Sequence, residues 1–189
     1  WTQYNESLTP FVEFWLPLKQ YCDKVGIKFL TTPMSKMAAE KVNSIVDMWK
    51  VGSADILDRD LMEFLVSTKK PMIVSTGMST LEEIDKAVVF LKSRGSEIII
   101  LHCVSKYPCP PEELNLATIA FLQNRYHIPV GFSDHSIGID SALAAVALGV
   151  FVVEKHFSLS RDLWGADHKV SMTPEEMKEL ARGIRELEL

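Results

Sequence analysis

Two histidines close two β-branched hydrophobic runs. His135 lies in Pro129-Val-Gly-Phe-Ser-Asp-His-Ser136 and His156 in Phe151-Val-Val-Glu-Lys-His-Phe157. Each run reads as a buried parallel strand, and the Ala- and Leu-rich stretch from Ile137 to Val150 reads as the crossover helix between them. A right-handed βαβ connection brings both strand ends to one face of a sheet, on adjacent strands. A lone histidine at a strand end is ordinarily structural. Two imidazoles arriving together form a candidate site for a divalent metal ion.

Other strand ends carry groups suited to an anion. Lys50-Val-Gly-Ser53 offers a cation, a hydroxyl and a glycine that lets a ligand approach the backbone. Ser75-Thr76-Gly77 offers two hydroxyls and exposed amides, the makings of a phosphate cradle. Taken singly, such a lysine is a surface charge and such a triplet a turn. With Ser105 and Ser133 from the following strands they form a set that could hold a phosphorylated anion beside the metal. Asp55 and Asp167 are the nearest carboxylates, with a helix cap and a turn as their bland alternatives. Tyr107 sits in a proline-stiffened loop, as a binding surface or a packed ring. Glu154 shares the strand parity of His156, so both should face one side, and a buried glutamate there needs a cation, for which Lys50 is the candidate. Lys155 has the opposite parity and is expected to face the helix layer. His127 and His168 show no partner pattern. Met34, Met37 and Met48 read as gap-filling core or helix residues.

The elements that must position these groups recur as strand and helix in turn. Strands are expected at Ile27–Thr31, Met48–Gly52, Met72–Ser75, Ile98–Val104, Ile128–Phe132 and Phe151–Lys155. Thr80-Leu-Glu-Glu83 is a capping box that opens a helix over Leu81–Ser93, stopped by Gly95. Thr173-Pro174-Glu-Glu176 combines an N-cap, a proline in the first turn and a matching glutamate, and opens a last helix to Glu188. Further helices are expected over Leu57–Thr68, Leu116–Tyr126 and Ile137–Leu148, a short one near Ser35–Ser44, and an opening one around Phe11–Lys24 that Pro17 bends or begins.

Strict alternation means a parallel sheet, open and doubly wound or closed as a barrel. A doubly wound sheet gathers its ligand groups at one switch point, whereas here polar residues stand at every strand end, the pattern of a TIM-type (β/α)8 barrel. No Gly-x-Gly-x-x-Gly follows a strand, which removes the main dinucleotide signature. Six units instead of eight, in a chain that starts at Trp1, lead to the expectation of a partial barrel whose first two units lie upstream and whose sheet has open edges.

The 189 residues, 47% hydrophobic, suffice for a single domain core. A net charge of −5 argues against a nucleic-acid partner, so any anion must be held by local groups. No apolar run reaches the ~20 residues of a membrane span. Cys22, Cys103 and Cys109 are odd in number and lack metal-knuckle spacing, which suits reduced thiols in cytoplasm with structural or incidental roles.

Several segments together resemble the bacterial-type sialic acid synthases, which make nonulosonic acids from phosphoenolpyruvate. They are Phe29-Leu-Thr-Thr-Pro33, Trp49-Lys-Val-Gly-Ser53, Lys70-Pro-Met-Ile-Val-Ser-Thr-Gly-Met78, Leu101-His-Cys-Val-Ser-Lys-Tyr-Pro108, Gly131-Phe-Ser-Asp-His-Ser-Ile-Gly138, Glu154-Lys-His-Phe157 and Gly165-Ala-Asp-His168. They run in family order from Ile27 onward. The resemblance implies a barrel that condenses phosphoenolpyruvate with the open-chain aldehyde of an N-acylated hexosamine such as N-acetylmannosamine. It implies a divalent ion, manganese before magnesium or cobalt, on His135 and His156. It places the phosphoenolpyruvate anion against Thr32, Lys50, Ser53, Ser75, Ser105 and Ser133, and the sugar against Asp55, Tyr107 and Asp167 as the reacting-side residues. It implies a homodimer of the full-length protein, with a C-terminal antifreeze-like domain that this stretch lacks. Ser133-Asp-His135 resembles the members that use a free sugar, and Gly165-Ala-Asp-His168 the neuraminic or legionaminic branch. Three other readings stay open: a Schiff-base aldolase using Lys50, which leaves the histidines idle, a metal-dependent sugar isomerase or hydrolase, which uses the histidines but not the hydroxyls, and an inactive structural or interaction fragment.

Overall fold

The structure, a computed structural model, describes residues 12–189. Thirteen α-helices and strands alternate. They are α1 (Val12–Val25), β1 (Leu30–Thr31), α2 (Lys36–Val42), β2 (Met48–Val51), α3 (Arg59–Ser67), β3 (Met72–Ser75), α4 (Leu81–Ser93), β4 (Ile98–Cys103), α5 (Ala117–Tyr126), β5 (Val130–Asp134), α6 (Asp140–Ala147), β6 (Val153–Lys155) and α7 (Pro174–Leu187). Both expected capping boxes form, at Thr80 with Glu83 and at Thr173 with Glu176. Asp58 caps α3 by accepting from the Leu61 N–H, so Asp55 is free of that duty and instead ends a 3-10 turn from Ser53. Helix α1 runs with Pro17 inside it; Phe11, the expected first residue, lies outside the described residues. Strand β5 extends to Asp134, two residues past expectation, and β6 begins two residues late.

All six strands are parallel and lie in chain order, β1-β2-β3-β4-β5-β6, in one curled sheet. The order never reverses, so there is no switch point of the doubly wound kind. Successive residues alternate across the sheet, and the register propagates that alternation from strand to strand. Lys50 pairs with Ile73, Ser75 with Leu101, Cys103 with Ser133, and Ser133 with Glu154. These residues therefore share the concave face. The opposite set, Trp49, Val51, Met72, Val74, Ile98, Ile100, Val130 and Phe132, meets the helices in the main core. Trp49 is fully buried there and donates its indole N–H to Thr68 Oγ1 at 2.9 Å. A smaller cluster of Ala142, Met172 and Leu180 joins α6 to α7. No helix among the described residues is long and apolar enough to cross a membrane.

Several strand-end polar groups face the helices, not the cleft. His102 lies on the helix side, stacked on Phe132 at 5.8 Å between ring centroids, with Nε2 donating to the Leu114 carbonyl at 2.6 Å. Burial pushes its imidazole pKa down, and the ring is structural. Thr76 Oγ1 donates to the Leu101 carbonyl. Met37, though exposed, is a helix residue of α2 as expected, whereas Met34 lies in neither core nor helix and stands exposed at the cleft.

Gly131 shows how tightly the concave face is filled. A Cβ built there would stand 2.5 Å from Leu101 Cδ2 and Val152 Cγ1 and 2.6 Å from the Val152 carbonyl oxygen. Backbone on one side leaves no way to relax. Gly131→Ala is expected to lower stability by about 1–3 kcal/mol, the usual cost of overpacking, measured by urea unfolding. An unchanged midpoint would show that β5 and β6 can move apart freely.

Candidate functional site

The concave face ends in a cleft of about 570 Å3 at the C-terminal ends of the strands. Its lining includes Thr32, Lys50, Ser53, Asp55, Ser75, Ser105, Tyr107, Ser133, His135 and His156, ten residues that sequence reasoning nominated. Asp167 stands at the rim, exposed, with Oδ2 3.8 Å from His156 Nδ1. Cys103 and Glu154 also line it, together with Met34, Gly52, Ala54, Met78 and Lys155.

Lys50 sits at the floor. Its ammonium donates to Ser75 Oγ at 2.8 Å and to the Val51 carbonyl at 3.1 Å, and it lies 3.6 Å from Glu154 Oε2. The other Glu154 oxygen accepts from Ser133 Oγ at 2.7 Å. The pairing of Glu154 with Lys50 expected from strand parity is therefore present. The ammonium is held as a cation by acceptors, which does not suit a neutral amine awaiting a carbonyl.

A second cluster closes around Gly77. A Cβ there would meet Ser105 Oγ at 2.5 Å, Ser53 Oγ at 2.8 Å and Cys103 Sγ at 3.0 Å. Only glycine lets these three groups converge. Ser53 Oγ also donates to Cys103 Sγ at 3.6 Å. Sequence reasoning gave Cys103 no part in the cleft. No signal within its own strand could have found it, because its facing follows from the pairing with Ser133 across the ladder.

The histidines meet on the far side. Their ring centroids are 5.4 Å apart, and Tyr107 covers them, 4.1 Å from His135 and edge-on to His156 at 5.5 Å. His135 Nδ1 lies 2.8 Å from the Val104 carbonyl, which can only accept, so Nδ1 carries the hydrogen and Nε2 keeps its lone pair. Burial lowers the pKa of this imidazole, against the opposing pull of that carbonyl. Among the described residues no cluster of three or more His, Cys, Asp or Glu could hold a metal. A metal here would find the two imidazoles as its protein donors, with its other positions left to water or substrate. Burial raises the carboxyl pKa of Asp55, helped by Asp58 and opposed by Lys50. Burial likewise raises the Tyr107 phenol.

Two loops over the cleft are tied to the histidines by main-chain atoms. Cys109 N–H donates to the His135 carbonyl at 3.0 Å, and Met172 N–H to the His156 carbonyl at 2.8 Å.

A curled parallel sheet with polar groups gathered at its C-terminal strand ends defines the TIM-type class of α/β proteins. Residues 8–189 match the NeuB family, and the chain belongs to it. An uncharacterized protein of Methanocaldococcus jannaschii is 43% identical over 97% of this chain and 55% of its own length. The N,N'-diacetyllegionaminic acid synthase of Campylobacter jejuni is 37% identical over 89% of this chain and 52% of its own length. The chain thus spans about half the length of the curated relatives it matches. In structure it is similar to the N-acetylneuraminic acid (sialic acid) synthetase of Leptospira borgpetersenii, with a TM-score of 0.90 and 35% identity over 93% of this chain and 62% of the other. A truncated 3-deoxy-D-arabino-heptulosonate 7-phosphate synthase of Thermotoga maritima shares the fold, with a TM-score of 0.81 at 22% identity over 93% of this chain and 70% of the other.

Lys50→Ala removes the buried cation and leaves Glu154 unpaired. It is expected to weaken binding of a small phosphorylated anion such as phosphoenolpyruvate by roughly 2–5 kcal/mol, read by calorimetry, with far less effect on a neutral sugar. Equal losses for both ligands would refer the defect to folding.

Proposed function

We propose that the protein condenses phosphoenolpyruvate with the open-chain aldehyde of an N-acylated hexosamine, giving a nonulosonic acid and phosphate. One observation carries this reading: a buried cation ringed by hydroxyls and a pair of facing imidazoles share one cleft. Membership of the NeuB family supports it. The same reading takes the curled sheet as six units of a (β/α)8 barrel whose first two units lie upstream of Trp1. It takes the full-length protein as a homodimer in the cytoplasm, for which the three free thiols are suited.

In this proposal the C3 carbon of phosphoenolpyruvate bonds to the aldehyde carbon, water adds at C2, and phosphate leaves. Lys50 takes up the anionic substrate, and the hydroxyls of Thr32, Ser53, Ser75, Ser105 and Ser133 orient its phosphate and carboxylate. An incoming anion competes with Glu154 for the ammonium, so that Glu154 turns to Ser133 alone. Asp55, Tyr107 and Asp167 address the sugar from the open side. Asp55, whose carboxyl pKa burial raises, is suited to accept a hydrogen bond from a hydroxyl of the sugar. Tyr107 lies over the imidazoles and keeps bulk water from that side. A divalent ion, manganese by the family resemblance, would be held by His135 and His156 and would supply a Lewis acid for the aldehyde oxygen.

The test is an assay of the full-length protein with phosphoenolpyruvate and a panel of N-acyl hexosamines, with and without a chelator. Turnover with at least one sugar, abolished by the chelator and restored by Mn2+, is expected. His135→Ala and His156→Ala are each expected to remove that metal-dependent turnover while the far-UV dichroism stays unchanged. Full activity of either variant in metal-free buffer would refute the metal assignment. Borohydride trapping of pyruvate on Lys50 would move the reading to a Schiff-base aldolase.

A further inference from the structure

The histidines stand just beyond the last ladder pair of β5 and β6. That pair is Asp134 with Lys155, so the next residue on each strand is a histidine. The backbone ladder ends before reaching them. Some other restraint must fix where the two imidazoles stand.

On the helix side of that last pair, Lys155 and Asp134 form an ion pair at 2.9 Å, with side chains 2% and 0% exposed. The Lys155 ammonium has three N–H donors, and all three find acceptors: Asp134 Oδ2, the Ser136 carbonyl at 2.8 Å and the Gly138 carbonyl at 3.0 Å. The second Asp134 oxygen accepts the Ser136 N–H at 2.8 Å. Every acceptor of Lys155 thus belongs to the turn 134–138, which carries His135. Lys155 itself is covalently joined to His156. A buried ion pair is a poor way to gain stability, because desolvation offsets the attraction, and its best-attested use is to fix one arrangement among several.

We propose that Asp134 and Lys155 are positioning residues: their buried ion pair clamps the turn bearing His135 to the strand bearing His156 and so sets the spacing of the two imidazoles. This rests on the reading of those histidines as metal donors. Although Lys155 borders the cleft, its ammonium and the Asp134 carboxylate are buried and spent on each other and on the turn, so both act through their chain neighbours. Partners one step removed from metal ligands typically change metal affinity by about 10- to 100-fold when lost.

The experiment compares the full-length protein with Lys155→Met, Asp134→Asn and the conservative Lys155→Arg. Mn2+ alone is titrated by electron paramagnetic resonance, and the His135 ring is followed by 15N NMR without metal. In the wild type, His135 should show one tautomer with the hydrogen on Nδ1. Lys155→Met and Asp134→Asn should each weaken Mn2+ by about tenfold or more and blur that tautomer into an average, whereas Lys155→Arg, which keeps charge and donors, should retain both signatures. A folded Lys155→Met with wild-type Mn2+ affinity and an unchanged His135 spectrum would overturn the inference. If Lys155→Met does not fold, Asp134→Asn, nearly isosteric, decides by the same two readouts. A wild type that binds no Mn2+ would refute the metal reading, and the positioning role would then stand or fall on the His135 spectrum alone.

Discussion

The structure depends on one constraint, the two-residue alternation of a parallel ladder held in register across six strands. It sends Lys50, Ser75, Cys103, Ser133 and Glu154 to the concave face and Trp49, Val74, Ile100 and Phe132 to the helices. A slip of one residue in β2 would exchange Trp49 with Lys50, placing a charge among the apolar side chains and an indole in the cleft. Such a slip is opposed from both sides: Trp49 is pinned by its bond to Thr68, and Lys50 by its contacts with Ser75 and Glu154. Packing and chemistry are therefore fixed by the same register, not by separate devices.

The electrostatics of the cleft follow from that placement. The chain as a whole carries −5, so its overall field repels anions. A single buried ammonium reverses the sign locally, and Glu154 keeps it company when no anion is present. That exchange lowers the cost of leaving Lys50 in a low-dielectric floor. It also means that an anion is bound against an internal competitor, so affinity reflects the difference between two partners of one cation.

Much of this was legible in the sequence, for a physical reason. Capping boxes are local, and both formed where Thr80 and Thr173 predicted them. Parity along one strand is local too, so Glu154 could be aligned with His156 and matched to Lys50. What could not be read required register between strands. In Leu101-His-Cys103 two adjacent polar residues point to opposite faces, and the strand alone does not say which faces the cleft; His102 proved structural and Cys103 lines the site. The partner of Lys155 was hidden for the same reason, since Asp134 becomes its neighbour only through the pairing of β5 with β6. Met34 misled because composition cannot report that a short loop lies at the surface.

The loops above the cleft are fastened to the histidines through Cys109 N–H and Met172 N–H, both main-chain donors. A peptide N–H is the same in every residue but proline. Cys109 and Met172 are themselves buried, whereas the exposed rim residues Tyr107 and Asp167 take no part in that fastening. Substitution at the rim would therefore reshape the mouth of the cleft while the main-chain ties to the histidines stay in place.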